Sequence, residues 1–113
     1  MNREDQDLIW RKEKYRGPDD FVVKAYALPK LNLIESVLPF KGFSVLDVGC
    51  GPGLFSAHLK PRARWVVGID ISWSMLHRAK GIEVVLADAL SMPFPDESFD
   101  IVFFITPTTL PTY

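Results

Sequence analysis

From residue 43 onward the chain switches regularly between two hydrophobic patterns. FSVLDV (43–48), WVVGID (65–70), EVVLAD (83–88) and FDIVFFI (99–105) are short apolar runs rich in Val, Ile and Phe, and they predict four strands. Between them, LFSAHL (54–59), stopped by Pro61, and SWSMLHRAK (72–80), closed by Gly81, predict helices. Upstream, Asp19 or Asp20 can cap a helix beginning at Phe21. Pro29 lacks an N–H, so it is expected to break that helix and open a second one running to about Leu38. Leu31, Ile34, Val37 and Leu38 would form its buried face. Strands that are apolar throughout, rather than alternating, are buried on both sides, as in a parallel sheet between helix layers. The alternation of strand and helix therefore predicts a doubly wound α/β domain with right-handed crossovers.

Composition narrows the function without naming it. A chain of 113 residues, 48% hydrophobic and 24% charged, suits one globular domain. We divide it into a charged N-terminal arm or helix, residues 1–18, and a domain over 19–113. The arm mixes both signs of charge with Leu8, Ile9, Trp10 and Tyr15, and has no apolar core of the kind a signal peptide needs. A net charge of -1 provides no basic field for nucleic acid or anionic membrane. No apolar run approaches the roughly 18 residues that span a bilayer. The single cysteine, Cys50, has no disulfide partner, and no Cys/His spacing suggests a metal. A cytoplasmic protein without nucleic-acid or membrane partners is expected.

The chemistry concentrates in VLDVGCGPGLF (45–55). A strand ends near an acid, Asp47, and then meets glycines at 49, 51 and 53. Glycines there permit backbone angles closed to other residues and let a ligand approach the main chain. In open α/β sheets ligands bind beyond the carboxyl ends of the strands, where this loop lies. Asp70 and Asp88 end the next two strands. A carboxylate such as Asp70 can accept from two neighbouring hydroxyls, as on a ribose, and its distance from Gly49 resembles that of ribose-binding acids. Asp88 can accept from an adenine amino group, and Ile71 and Leu90 can sandwich the base. Each feature has a plainer explanation, since glycine turns and helix-capping acids are common. Three acids ending three consecutive strands are harder to explain that way.

The spacing also speaks to the ligand. A dinucleotide loop reads G-x-G-x-x-G, whereas this one reads G-C-G-P-G with an acid two residues before it. A carboxylate about 4 Å from a phosphate costs on the order of 4 kcal/mol at an effective dielectric of about 20. The loop therefore favours a nucleoside bringing positive charge. S-adenosylmethionine (SAM), with an ammonium, a sulfonium and no phosphate, fits.

VLDVGCGPG (45–53), GIDISWSMLHRA (68–79) and ADALSMPFPDESFDIVF (87–103), in this order, resemble the first half of a class I SAM-dependent methyltransferase. The likeness is to the small-molecule type that includes quinone-biosynthesis enzymes. The resemblance implies a Rossmann-like sheet, here of about four strands in the order 3-2-1-4, with helices on both faces. It implies that Asp47 holds the methionine amino group and that Gly49, Cys50, Gly51 and Gly53 form the loop surface. Asp70 would bind the ribose, Ile71 the adenine ring, and Asp88, Ala89 and Leu90 the adenine edge. Methyl transfer to a small-molecule acceptor follows, by positioning rather than by a dedicated base, and no catalytic residue is assigned. His58, His77, Trp65 and Trp73 are read as packing or surface residues, with Trp73 near the adenine site.

The family pattern continues beyond the fourth strand with further strands and acceptor-binding segments, whereas this sequence closes on ITPTTLPTY. Ile105-Thr106-Pro107 also departs from the Asn/Asp-Pro-Pro-Tyr motif of enzymes that methylate exocyclic amines. The expectation is a fragment of a longer chain, or a homo-oligomer whose second copy covers the fourth strand or the 106–113 tail. The alternative to a methyltransferase is a non-catalytic SAM-binding or assembly module active only with a partner.

Overall fold

The structure, a computed structural model, describes residues 17–104. The arm of residues 1–16, with Tyr15, and the 105–113 tail lie outside the described residues. Helix α1 spans Phe21–Val37, strand β1 Ser44–Val48, helix α2 Leu54–Leu59 and strand β2 Trp65–Asp70. Helix α3 spans Trp73–Leu76, β3 Glu83–Leu86 and β4 Ile101–Phe104. The four strands form one parallel sheet in the order β3-β2-β1-β4, as expected.

The pleat sorts β1 onto two faces. Val45 and its register partners Val66 and Ile101 pack with Leu31 of α1, Phe40 and Leu59 of α2 in one core. Leu46, Val48, Val67 and Ile69 point to the opposite face with Ala87, Met92, Phe94 and Phe99. Right-handed crossovers from β1 to β2 to β3 put α2 and α3 on one side. Among the described residues the other side is covered by the irregular 91–99 segment, where Phe99 stacks on Trp65 at 5.3 Å and meets Phe94 edge-on at 5.1 Å. Every residue of β1 is buried. In β4, Ile101 is buried but Val102 and Phe104, aligned with Leu46 and Val48, are 45% and 68% exposed. Burial on both faces thus holds for the centre of the sheet and fails at its edge.

Five elements depart from their expected bounds: β1 begins at Ser44 rather than Phe43, β3 ends at Leu86 so that Asp88 lies two residues beyond it, and α1, α3 and β4 differ as follows. Asp20 caps α1 as anticipated, its Oδ1 accepting from the N–H of Val22 at 2.8 Å. Pro29, however, lies inside a continuous helix. An interior proline costs about 3 kcal/mol; here Val23, Ala27 and Leu31, one turn apart across it, are all buried, and their packing outweighs that penalty. Helix α3 is a single turn, not the expected 72–80. It continues in tighter turns, with Arg78 N–H on the Met75 carbonyl and Ala79 N–H on that of Leu76, both at 3.0 Å. Such turns rise about 2.0 Å per residue rather than 1.5 Å, which returns the chain to the start of β3 in fewer residues. Phe99 leaves the expected fourth strand to cover the outer face.

At the amino end of the sheet, Asp100 joins β4 to β1. Its Oδ2 accepts from the N–H and the hydroxyl of Ser44 at 2.8 and 3.1 Å, while its own N–H donates to the Ser44 carbonyl at 3.0 Å. These bonds hold its carboxyl below the ordinary range and set the register of the two strands between which the order reverses; the ligand crevice of an open sheet lies at the opposite, carboxyl end of those strands.

Candidate functional site

The loop after β1 has three glycines in left-handed conformations, φ 76° at Gly49, 57° at Gly51 and 79° at Gly53. Their roles differ. A Cβ at Gly49 or Gly51 would meet nothing within 4 Å, so both turn bare backbone toward open space. A Cβ at Gly53 would lie 2.4 Å from Ile82 Cδ1, so Gly53 serves the packing of the loop against the β3 approach.

The loop's donors are already engaged. Gly49 and Cys50 N–H groups both donate to the Ile69 carbonyl, at 2.8 and 2.9 Å. Gly51 N–H donates to Asp70 Oδ2 at 2.8 Å and Gly53 N–H to the Cys50 carbonyl at 2.9 Å; Pro52 has none. A phosphate-binding nest needs converging free N–H groups. This loop offers none between 49 and 53.

The three acids occupy different environments. Asp47 is 2% exposed, and its Oδ2 accepts from the hydroxyl of Ser56, itself fully buried, at 2.7 Å. Burial raises its pKa to about 6, opposed by the Ser56 bond and reinforced by the charge of Asp70. Asp70, half-buried, accepts from Gly51 N–H through Oδ2 and from Ser72 N–H through Oδ1 at 2.9 Å. Two of about four lone-pair sites are thereby used, and two remain for a pair of hydroxyls. Asp88 is exposed, with Oδ1 accepting from Leu90 N–H at 2.9 Å in a local turn. Ala89 and Leu90 are exposed, Leu90 to 94%; Ile71 is half-buried, and Trp73 is 63% exposed.

Cys50 turns away from this rim. Its side chain is buried against Gly68 in β2, and burial pushes its thiol well above the ordinary range. His58 donates through Nε2 to the Pro18 carbonyl at 2.8 Å, and His77 Nδ1 lies 3.1 Å from the Trp73 carbonyl. Among the described residues no cluster of three or more His, Cys, Asp or Glu could hold a metal, and no helix is long and apolar enough to cross a membrane. A cavity of about 480 Å³ lined by Lys60, Arg64, Trp65 and Glu83 opens at the amino ends of β2 and β3, at the opposite end of the strands from the acids.

Residues 46–107, more than half of the chain, match the family model described as a methyltransferase domain. The chain belongs to the class I SAM-dependent methyltransferases. It is 44% identical over 69 residues to the malonyl-acyl-carrier-protein O-methyltransferase of Legionella pneumophila, a match covering 52% of this chain and 24% of that protein. A solved structure from Pyrococcus horikoshii superposes with a TM-score of 0.71 at 28% identity, over 84% of this chain and 49% of that one. An S-adenosylmethionine-dependent methyltransferase from Mesorhizobium loti gives a TM-score of 0.55 at 32% identity, over 65% and 38%. The chain thus spans from about a quarter to a half of these relatives' lengths, and the family's cofactor is SAM.

Two residues that shape this methyltransferase loop are absent from the sequence-based set. Gly68, in the middle of β2, faces Asp47 in register, and a Cβ there would lie 2.5 Å from Cys50 Sγ. A glycine inside an apolar strand is the available signal, since it marks a close approach. Ser56 is the other, a polar residue on the buried side of α2 that supplies the Asp47 hydrogen bond.

Proposed function

We propose that this chain binds SAM across the carboxyl tips of β1, β2 and β3 and forms the cofactor-binding part of an enzyme that methylates a small-molecule acceptor. The observation that carries this reading is the combination of a loop without free donors and two buried or half-buried acids beside it. Such a rim repels phosphate and accepts a cationic nucleoside. Asp70 would hold the ribose hydroxyls with its two open lone pairs, and the bare backbone of Gly49 and Gly51 would admit the amino-acid end beside Asp47. Asp88, Ala89, Leu90 and Ile71 would surround the adenine. When bound, SAM supplies a methyl group activated by the sulfonium.

The chain's own contribution is to position and desolvate, which is sufficient chemistry for a leaving group that needs no protonation. Relatives such as the malonyl-acyl-carrier-protein enzyme methylate an oxygen on a carrier-bound acyl group, which supports a small carboxylate as the first acceptor to try. Equilibrium titration with SAM and its demethylated product, followed by transfer of labelled methyl to candidate acids, tests the proposal. Binding with transfer supports it. Binding without transfer to any acceptor favours the second reading, a SAM-binding module that needs a partner. No binding of either compound removes both.

A further inference from the structure

Helix α2 turns two fully buried residues inward, Ser56 and Leu59, about one turn apart. Leu59 packs in the apolar core with Val45 and Val66. Ser56 instead carries a hydroxyl into the interior, where it needs a partner. That partner is Asp47, whose Oδ2 accepts from it at 2.7 Å. Two small apolar residues would pack between strand and helix as well as this acid and hydroxyl do, with no polar group to desolvate. The pair is also left half finished. Among the described residues no donor reaches Asp47 Oδ1, and no enclosed side-chain oxygen or nitrogen is without a partner, so Oδ1 keeps access to the outside. The loop N–H groups that could have closed it are committed to the Ile69 carbonyl and to Asp70.

We propose that Ser56 is a positioning residue of the cofactor site: it holds Asp47 with one oxygen open, and the ammonium of SAM seats only on the ionised acid, expelling its proton where the acid carries one. The inference rests on the SAM reading above and adds a proton linkage to it. Burial raises the pKa of Asp47 to about 6, opposed by the Ser56 hydrogen bond and helped by the charge of Asp70. Other groups around Asp47 do not compete. Its register partners Gly68 and Phe103 are uncharged, and the Cys50 thiol is held well above the ordinary range. His58 of α2 is engaged with the Pro18 carbonyl. Near pH 6 the acid is half protonated, so the incoming cation must displace a proton there. Affinity therefore rises with pH through 6 and is about tenfold weaker at pH 5 than at pH 7. An α-amino group stays charged over that interval, so the change belongs to the protein.

Calorimetry of the unaltered protein with SAM at pH 6, in buffers of different ionisation enthalpy, counts the protons released. About half a proton per SAM is expected. Methylthioadenosine, which has the ribose and adenine but no ammonium, should bind with no release. Silence with SAM overturns this inference together with the reading it rests on. Saturable SAM binding without proton release, or equal release with methylthioadenosine, overturns this inference alone. Ser56→Ala should weaken SAM binding several-fold at pH 6 and much less at pH 8, because loss of the hydrogen bond moves the titration of the acid upward. A loss equal at both pH values would make Ser56 a packing residue and overturn its positioning role. Asp47→Asn should abolish the proton release and flatten the profile between pH 5 and 7. Release that persists in that variant would come from another group and contradict the proposal. The proton count on the unaltered protein decides the linkage even where a variant fails to fold.

Discussion

The two ends of the sheet treat their acids in opposite ways. At the amino end, Asp100 receives the N–H and hydroxyl of Ser44, and its carboxyl is held below the ordinary range. At the carboxyl end, Asp47 is buried with one hydroxyl donor and a second acid nearby, and its pKa rises to about 6. The first arrangement stabilises the charged form and joins two strands. The second leaves a carboxylate that the fold by itself would rather protonate. An acid kept at a cost beside a donor-free loop is what a cationic ligand can repay, and this is why the proposed cofactor site is set at that end of the strands.

Asp70→Ala should break the carboxyl end most severely. It removes the acceptor for Gly51 N–H and the open lone pairs at once, and hydrogen bonds to a charged group are worth about 1.5 to 3 kcal/mol each. SAM affinity should fall by about 100-fold or more, read by calorimetry. An unchanged dissociation constant would remove Asp70 from the site.

Asp47→Asn should move stability and binding in opposite directions. The folded-state pKa of about 6 lies above the ordinary 3.8, so this group's contribution is fully present below pH 3.8 and is lost as pH rises through 6. At pH 7 the ionised Asp47 therefore costs on the order of 3 kcal/mol, and the asparagine variant should unfold at higher denaturant by up to that amount while binding SAM more weakly. The stability difference should fade toward pH 4. A variant no more stable than the wild type at pH 7 would show that Asp47 carries no strain.

Gly68→Ala should destabilise by about 1 to 3 kcal/mol through overpacking against Cys50, with part of that loss restored by Cys50→Gly. Equal stability in denaturant unfolding would mean that the loop shifts freely. The smallest effect is expected at the amino end. Asp100→Ala should lower Tm by a few degrees at pH 7. Because the folded pKa of Asp100 is depressed, its contribution is present above the ordinary carboxylate pKa and lost as pH falls through the folded value, so the difference should close in acid. A Tm difference that widens in acid would reverse this assignment.

Much of this arrangement is legible in the residues because strand and helix differ in period. Four apolar runs separated by turn residues yield the strands, and the acids at or near the carboxyl ends of three of them, Asp47 within β1, Asp70 at the end of β2 and Asp88 two residues past β3, yield the rim. What is not legible depends on contacts made across the fold. Pro29 argues locally for a break, yet the buried faces of Val23 and Leu31 on either side of it keep α1 whole. The short α3 reflects how far the chain must travel back to β3, a distance that helical spacing does not encode. Gly53 looks like its two neighbours in the loop until Ile82 is seen against it, and Ser56 acquires meaning only when α2 is laid over β1.

The most direct measurement is a pair of calorimetric titrations of the same protein at pH 7.5 and low ionic strength, one with SAM and one with NAD. A rim of engaged loop donors and unneutralised acids predicts a saturable one-to-one heat with SAM and none with the pyrophosphate-bearing dinucleotide. Saturable heat with NAD, or silence with SAM, would contradict it.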